Sequence, residues 1–522
     1  MSDYQFSRKA DAVVIGAGNG GLAAGAVLAK NGLKPLVLEK HSSPGGFASS
    51  FVRGRFEFET ALHVLADYGP VDNRGNLGLF FDELGLDVKF VEVPEAYRLI
   101  TIHDPEGNLD VVMPMGVEAY IEKMEEIVPG SRESVTNYML ISKEVYEALA
   151  YLGKNKGNVD KKVLLNEYGN FVRTCAASQQ QVLDALKMPI KAQRILNAYW
   201  TYLAVDMQRI NFTIFGVIIY VLLEKSAYVP KMRSHEISMA LEQKIRELGG
   251  IVECNCEVEH ILIEGGNVVG VKTKRGEYIK TSQVVANMSE HMVYSNLLYP
   301  ANEIPSRCYQ LANARIMGAG AIVVYLGLNK SAQELGITEY EYLIYDSMDT
   351  SDIYKSFDTR GRTKAQATAC LNLAVPDCSP PGTCIISFTV LNQGDRWADV
   401  TPEVYHEEKE RIAEEILGEF KLATGIDLIP YIEEIEIATP ITFANINRKY
   451  NGSIYGYECV DWDSLIPKTM TIQDEDENLI KGLRFVGGFS RRSQGFSSSY
   501  MTGELAGRLT AAKWKEENKN VR

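Results

Sequence analysis

Residues 12–47, AVVIGAGNGGLAAGAVLAKNGLKPLVLEKHSSPGGF, constrain this chain more than any other stretch. Ala12 to Ile15 is a short apolar run of the kind that forms a buried parallel strand. Gly16, Gly18 and Gly21 follow in the spacing G-x-G-x-x-G, with Gly20 inside it. Leu22 to Asn31 carries the small and apolar residues of a closely packed helix, and Gly32 stands where a helix stops. Leu36 to Glu39 is a second apolar strand closing on an acid, 18 positions past Gly21. A bare glycine triplet is a weak signal in a chain with 43 glycines; strand before, helix after and acid at this distance make it strong.

Each residue type has a physical task in a Rossmann-type unit. Gly16 allows the tight turn out of the strand, Gly18 lets backbone approach a pyrophosphate, and Gly21 lets the helix pack close. Free N–H groups and the helix dipole at the helix start hold phosphate charge. Glu39 stands where a carboxylate accepts from ribose hydroxyls. The motif suits NAD or FAD. A second glycine turn, Pro44-Gly45-Gly46-Phe47, adds a donor loop beside the same nucleotide and tilts the expectation to FAD.

The length of 522 residues predicts about two to four domains. A net charge of −14 excludes an electrostatic nucleic-acid binder, and no lysine-rich block marks an anionic membrane surface. MSDYQFSRKAD has no apolar core of a secretory signal, so a cytoplasmic enzyme is expected. The longest apolar run, Phe212 to Leu223, is too short to span a bilayer; it reads first as a core helix and is compatible with peripheral membrane contact. Eight cysteines form no C-x-x-C and seven histidines no ligand-spaced pair, so no metal is expected and the thiols read as reduced. Cys254 and Cys256 lie on one face of an apparent strand over 251–258.

Along the chain, Val52 to Leu65 alternates as a strand would and runs into Thr60-Ala61-Leu62-His63. Short strands are expected at 88–93, 97–103 and 109–113 in a separate antiparallel sheet, then helices from 116 to 224 interrupted by the polar GKNKGNVD. Strands return over 251–286, with a hairpin turn at Gly265-Gly266-Asn267. Further strands follow from 321 to 390, and a helix over 402–422. MGAGAIVVYLG at 317–327 lacks a third glycine and continues as strand, so it is no second nucleotide motif. Leu483 to Phe489 is a strand running into Gly487-Gly488, and a helix is expected from Met501. Such a strand–turn–helix can bring N–H groups to a flavin ring.

These pieces together resemble the phytoene desaturase, carotenoid isomerase and retinol saturase family of flavoproteins. The resemblance rests on VVIGAGNGGLAAGAVLAKNG with Glu39, PGGF, RFEFETALHVL, YVPK at 228–231, LGGIVECNCEV, TPITF, YNGSIYG and FVGG, spread over most of the chain. It implies an α/β fold: a two-part Rossmann-type FAD-binding domain (1–83, 228–295 and 470–522) with an inserted α+β substrate domain (84–227 and 296–469), an antiparallel sheet plus helices. It also implies an apolar tunnel to the flavin and an isoprenoid- or carotenoid-like lipid substrate. Cofactor contacts are expected from Gly16, Gly18, Gly20, Gly21, Glu39, Lys40, Gly45, Gly46, Phe47, Ala48, Leu62, Val258, Gly487 and Gly488. Three departures fall near the flavin: Glu59 and Ala61 where the family has Asp and Gly, Met232-Arg233 where it has two glycines, and SRRSQGFSSS at 490–499 in place of a proline-and-glycine turn.

Three functions fit the pattern: a flavin-dependent oxidoreductase on C=C or adjacent C–C bonds, a flavin-dependent double-bond isomerase, and a non-catalytic lipid-binding protein. Intact glycines and Glu39 argue against the third. His63 is the candidate catalytic residue, as proton donor or substrate-orienting group, with a packed loop histidine as the alternative. Arg491 and Arg492 read as a solvated pair, with flavin-anion or carboxylate stabilisation as the alternative. Phe215 and Ile219 are expected to line the lipid channel.

Overall fold

The computed structural model describes residues 4–155, 159–361, 363–447, 450–459, 479–490 and 494–518. Ala12–Ile15 and Pro35–Leu38 are adjacent, fully buried parallel strands joined by the Asn19–Lys30 helix. They sit inside a five-stranded parallel sheet that adds Ile251–Glu253 on one side and Val284–Ala286, then Leu483–Phe485, on the other. Near-continuous apolar strands are what a sheet covered on both faces requires. One cover is the Asn19–Lys30 helix, against which the Phe496–Glu517 helix lies with almost no gap: a Cβ at Gly503 would fall 2.2 Å from the Gly20 carbonyl.

The expected strand over 251–258 is two strands in two sheets. Ile251–Glu253 pairs with Pro35–Leu38, whereas Val258–Glu264 belongs to a second five-stranded sheet. The chain breaks between them because the amides of Asn255 and Cys256 bond the carbonyls of His41 and Glu39, with Asn255 at φ +55. Cys254 and Cys256 are therefore in a turn, not on one strand face. In the second sheet, Val258–Glu264 and Asn267–Thr273 form the predicted hairpin across Gly265 and Gly266, both left-handed at φ +58 and +76.

A seven-stranded sheet forms the rest of the framework, in the order Ile432–Ala438, Gly320–Leu328, Cys384–Asn392, Ala365–Cys370, Glu341–Tyr345, Tyr97–Thr101, Asp110–Met113. All its pairs are antiparallel except Glu341–Tyr345 with Tyr97–Thr101. The MGAGAIVVYLG run is its fully buried strand Gly320–Leu328, paired on both edges. Alternation along that strand divides the core. Ile322, Val324 and Leu326 meet the Pro402–Thr424 helix, while Ala321, Val323 and Tyr325 face the helical region. The expected strand over 52–65 is instead a tight hairpin, Ser50–Arg53 with Phe56–Glu59, followed by a loop, and Phe56 fills the space that Gly327 leaves open. The expected strand near 88–93 pairs not with the large sheet but with Tyr228–Pro230, as Phe90–Glu92.

Candidate cofactor and substrate site

The glycine turn and the PGGF loop close on each other. Gly45 N–H donates to the Ala17 carbonyl (2.8 Å), and Gly18 and Gly45 form a parallel bridge. Gly45 and Gly46, at φ +124 and +62, hold a backbone that side-chain-bearing residues adopt only with strain. Ser238 fixes the far end of the loop by donating to the Ala48 carbonyl at 2.9 Å. Backbone approach here is close: a Cβ at Gly20 would lie 2.8 Å from the Gly487 nitrogen, and one at Gly18 2.7 Å from Asn287 Nδ2. The helix begins at Gly18 with no side-chain cap, so its first-turn amides are open to an anion. Asn19 Oδ1 is buried there without a hydrogen-bond partner among the described residues.

Glu39, at the end of the second strand, is 7% exposed and accepts from Ala17 N–H at 2.7 Å and His41 N–H at 3.0 Å, one on each oxygen. Each oxygen keeps a further lone pair for a hydroxyl donor. An open helix N-terminus, a cradle that any Cβ would fill and a buried carboxylate fit a dinucleotide. Lys40 points past this edge, its Nζ 3.0 Å from the Ile446 carbonyl. Val258 is buried with Ile15 and Leu38 beneath the strand that carries Glu39.

Beside this cradle lies a cavity of about 200 Å³ between the glycine loops and the inner face of the seven-stranded sheet. Asn19, Phe47 and Gly488 form one wall, and Val323, Ala365, Ala367, Thr389 and Leu391 the opposite one. Residues 60–64, Thr201, Tyr202, Tyr455, Phe443, Ile454 and the start of the C-terminal helix complete it. Of the residues singled out in the sequence, Phe47, Leu62, His63 and Gly488 meet here. His63 Nε2 is 3.1 Å from Thr389 Oγ1, and its Nδ1 is 3.6 Å from the Glu341 carboxylate.

The departures from the family pattern acquire physical roles. Glu59 accepts from Ser234 N–H (2.7 Å) and Oγ (2.6 Å) and from the amides of Ala61 (3.3 Å) and Leu62 (3.2 Å), clamping the loop that carries His63. Burial raises its pKa above the usual carboxylate value, against those hydrogen bonds. Arg233 stands at φ +78, a conformation that favours the glycine expected there, and its guanidinium donates to the carbonyls of Glu57 and Cys378. Arg491 and Arg492 lie outside the described residues.

Phe215 and Ile219 are a correction. The Phe212–Lys225 helix is apolar all round because other helices surround it. Phe215 is 0% and Ile219 2% exposed, in the helical core with Tyr138, Val182 and Leu196, and neither reaches the cavity. The helical region contributes Thr201 and Tyr202 instead. Sequence reading also missed Asn287, Tyr202, Thr389, Tyr455 and Glu341. The one available signal was Glu341, a carboxylate opening the otherwise apolar strand EYLIY.

Fold and site together define a two-part Rossmann-type nucleotide-binding architecture. Residues 14–84 match the NAD(P)-binding Rossmann-like domain family. An oxidoreductase crystal structure from Methanosarcina mazei superposes with a TM-score of 0.63 at 16% identity, covering 95% of this chain and 99% of that one. All-trans-retinol 13,14-reductase of Macaca fascicularis is 27% identical over 397 residues, 73% of this chain and 64% of that protein. The chain thus spans slightly under two thirds of that reductase. Chloroplastic prolycopene isomerase of Daucus carota is 22% identical over 547 aligned residues, 98% of this chain and 82% of its own. The chain is thus similar to both retinol 13,14-reductases and prolycopene isomerases, the relatives that its sequence motifs resemble.

Proposed function

We propose that this chain is an FAD-dependent oxidoreductase that saturates or desaturates C=C or adjacent C–C bonds of a long apolar isoprenoid-like lipid. The observation that carries the proposal is the cavity beside the glycine cradle, with Asn19, Phe47 and Gly488 as one wall and an apolar sheet face as the other. Gly16, Gly18, Gly20, Gly21, Gly45, Gly46, Ala48 and Gly487 hold the cofactor backbone to backbone, with Glu39 on the ribose and Lys40 and Val258 at the nucleotide end. When bound, the flavin supplies hydride transfer to or from carbon. The protein's own contribution is position and dryness: Phe47, Leu62, Leu391 and Phe443 exclude water, and Gly488 leaves room for the Tyr455 carbonyl, which a Cβ would meet at 2.3 Å. Residues 1–83, 228–295 and 470–522 serve the cofactor, and 84–227 and 296–469 the substrate.

Flavin-dependent double-bond isomerisation is the second reading, favoured by alignment of the isomerase over 98% of the chain. Among the described residues no helix is long and apolar enough to cross a membrane. The test is the visible spectrum of the purified protein, then anaerobic reduction and incubation with all-trans-retinol and prolycopene. A flavin spectrum with a product changed by about two mass units, the two hydrogens of hydride transfer, supports the oxidoreductase. Unchanged mass with new retention supports the isomerase, and a protein colourless even after FAD addition overturns both.

A further inference from the structure

The polar corner of the cavity is built in a way that packing does not require. Glu341 is 0% exposed, and its Oε2 has no hydrogen-bond partner among the described residues. Its Oε1 accepts from the Tyr202 hydroxyl and lies 3.6 Å from His63 Nδ1, which is also without a hydrogen-bond partner. A carboxylate removed from water is costly unless a positive or proton-donating group answers it. The side chain placed to do so is His63, whose opposite nitrogen meets Thr389 at the cavity wall. The backbone is held as well, because the Tyr340 hydroxyl donates to the His63 carbonyl.

The other titratable groups around this pair include Glu95, Tyr199, Tyr202, Tyr340, Tyr345 and Tyr455. Burial pushes all five tyrosine hydroxyls well above their ordinary range, so they keep their protons and are poor acids. His63 is the imidazole on this wall, a side-chain type that can both give and take a proton.

We propose that His63 is the catalytic residue that exchanges a proton, through Nε2, with the reacting double bond, and that Glu341 is the positioning residue that holds the ring with Nδ1–H turned away from the cavity. The proposal rests on the oxidoreductase reading above. In the reducing direction one C=C π bond is lost and two C–H bonds form. One receives the hydride electron pair of the reduced flavin, the other the proton from Nε2. His63 is left neutral and is reprotonated from water. Desaturation is the same balance reversed.

The test uses the full chain labelled with ¹⁵N-histidine. With seven histidines in the sequence, a His63→Gln difference spectrum assigns the His63 ring nitrogens. The expected neutral form is the Nδ1–H tautomer in the native protein, shifting toward Nε2–H in Glu341→Leu, which removes the acceptor; an unchanged tautomer in Glu341→Leu overturns the positioning role. In parallel, flavin-replete His63→Gln is expected to convert retinol or prolycopene at least about 100-fold more slowly, and Glu341→Gln about 10-fold more slowly in kcat with KM little changed. Native turnover in His63→Gln overturns the proton role. A native protein without flavin counts against the oxidoreductase reading instead, and the tautomer measurement then still decides whether Glu341 orients His63.

Discussion

At the scale of single residues, the cradle and the buried carboxylates make the sharpest predictions. Gly18 has φ −80 and ψ −176, a conformation open to valine, and an added Cβ meets only the movable Asn287 amide. Gly18→Val is therefore expected to fold with little change in Tm and to lose flavin, because the branch occupies the phosphate's approach. Flavin-to-protein absorbance ratios check this, and native occupancy removes Gly18 from the site. Glu95 behaves differently. Burial, helped by the charges of Glu339 and Glu341, pushes it up to about 7, while the amides of Tyr340 and Glu341 pull the other way. With its folded pKa raised, its stabilising contribution is complete below about 4.5 and is lost as pH climbs through about 7. That loss is about 3 kcal/mol. Glu95→Gln keeps a carbonyl acceptor and removes the loss. Its Tm relative to the native protein should rise between pH 5 and pH 8; a pH-independent difference would show that Glu95 does not titrate there.

At the scale of elements, two apolar surfaces that look alike in sequence do different work. The Phe212–Lys225 helix begins at Asn211, whose side chain accepts from Thr213 N–H at 2.9 Å, and it buries residues on every side among other helices. Phe215→Asp leaves a charge with no partner in that core and should cost about 4 kcal/mol or more, visible as loss of soluble protein or a steep fall in Tm. The Ala365–Cys370 strand instead presents Ala365 and Ala367 to the cavity. Ala367→Phe should fill that space, retain flavin and abolish conversion of a long substrate. Native turnover by this variant would mean that the lipid binds elsewhere. Periodicity could not separate these cases, since a helix enclosed by helices and a wall facing an apolar ligand are equally free of polar residues.

At the scale of the whole molecule, the cavity couples the sheets. Its walls come from the parallel sheet's loops, the seven-stranded sheet, the 60–64 loop and the C-terminal helix, so a ligand bound there touches the cofactor side and the seven-stranded sheet at once. FAD at about 100 times its Kd should stabilise the folded chain by about 2.7 kcal/mol. Calorimetry should show one transition moving as a unit. Two transitions, one unmoved by FAD, would mean that the substrate side folds independently of the cofactor side.

The sequence by itself determined the first βαβ unit, the glycine positions, the Gly265-Gly266 hairpin and the rejection of a second nucleotide motif at 317–327. Each of these depends on local geometry: a turn that needs left-handed φ, a strand that must be apolar on both faces, a helix that needs small residues where backbone comes near. Only the tertiary structure decided that 251–258 divides between two sheets, because the cause is hydrogen bonding to residues 39–41, more than 200 positions away. It alone set Gly503 and Gly507 against the nucleotide helix, and it alone moved the cavity wall from Phe215 to Ala367. Glu341 and His63 are separated by most of the chain, and nothing local ties one to the other. Their 3.6 Å approach exists because the Glu59-clamped loop packs on the face of the sheet that contains the Glu341–Tyr345 strand.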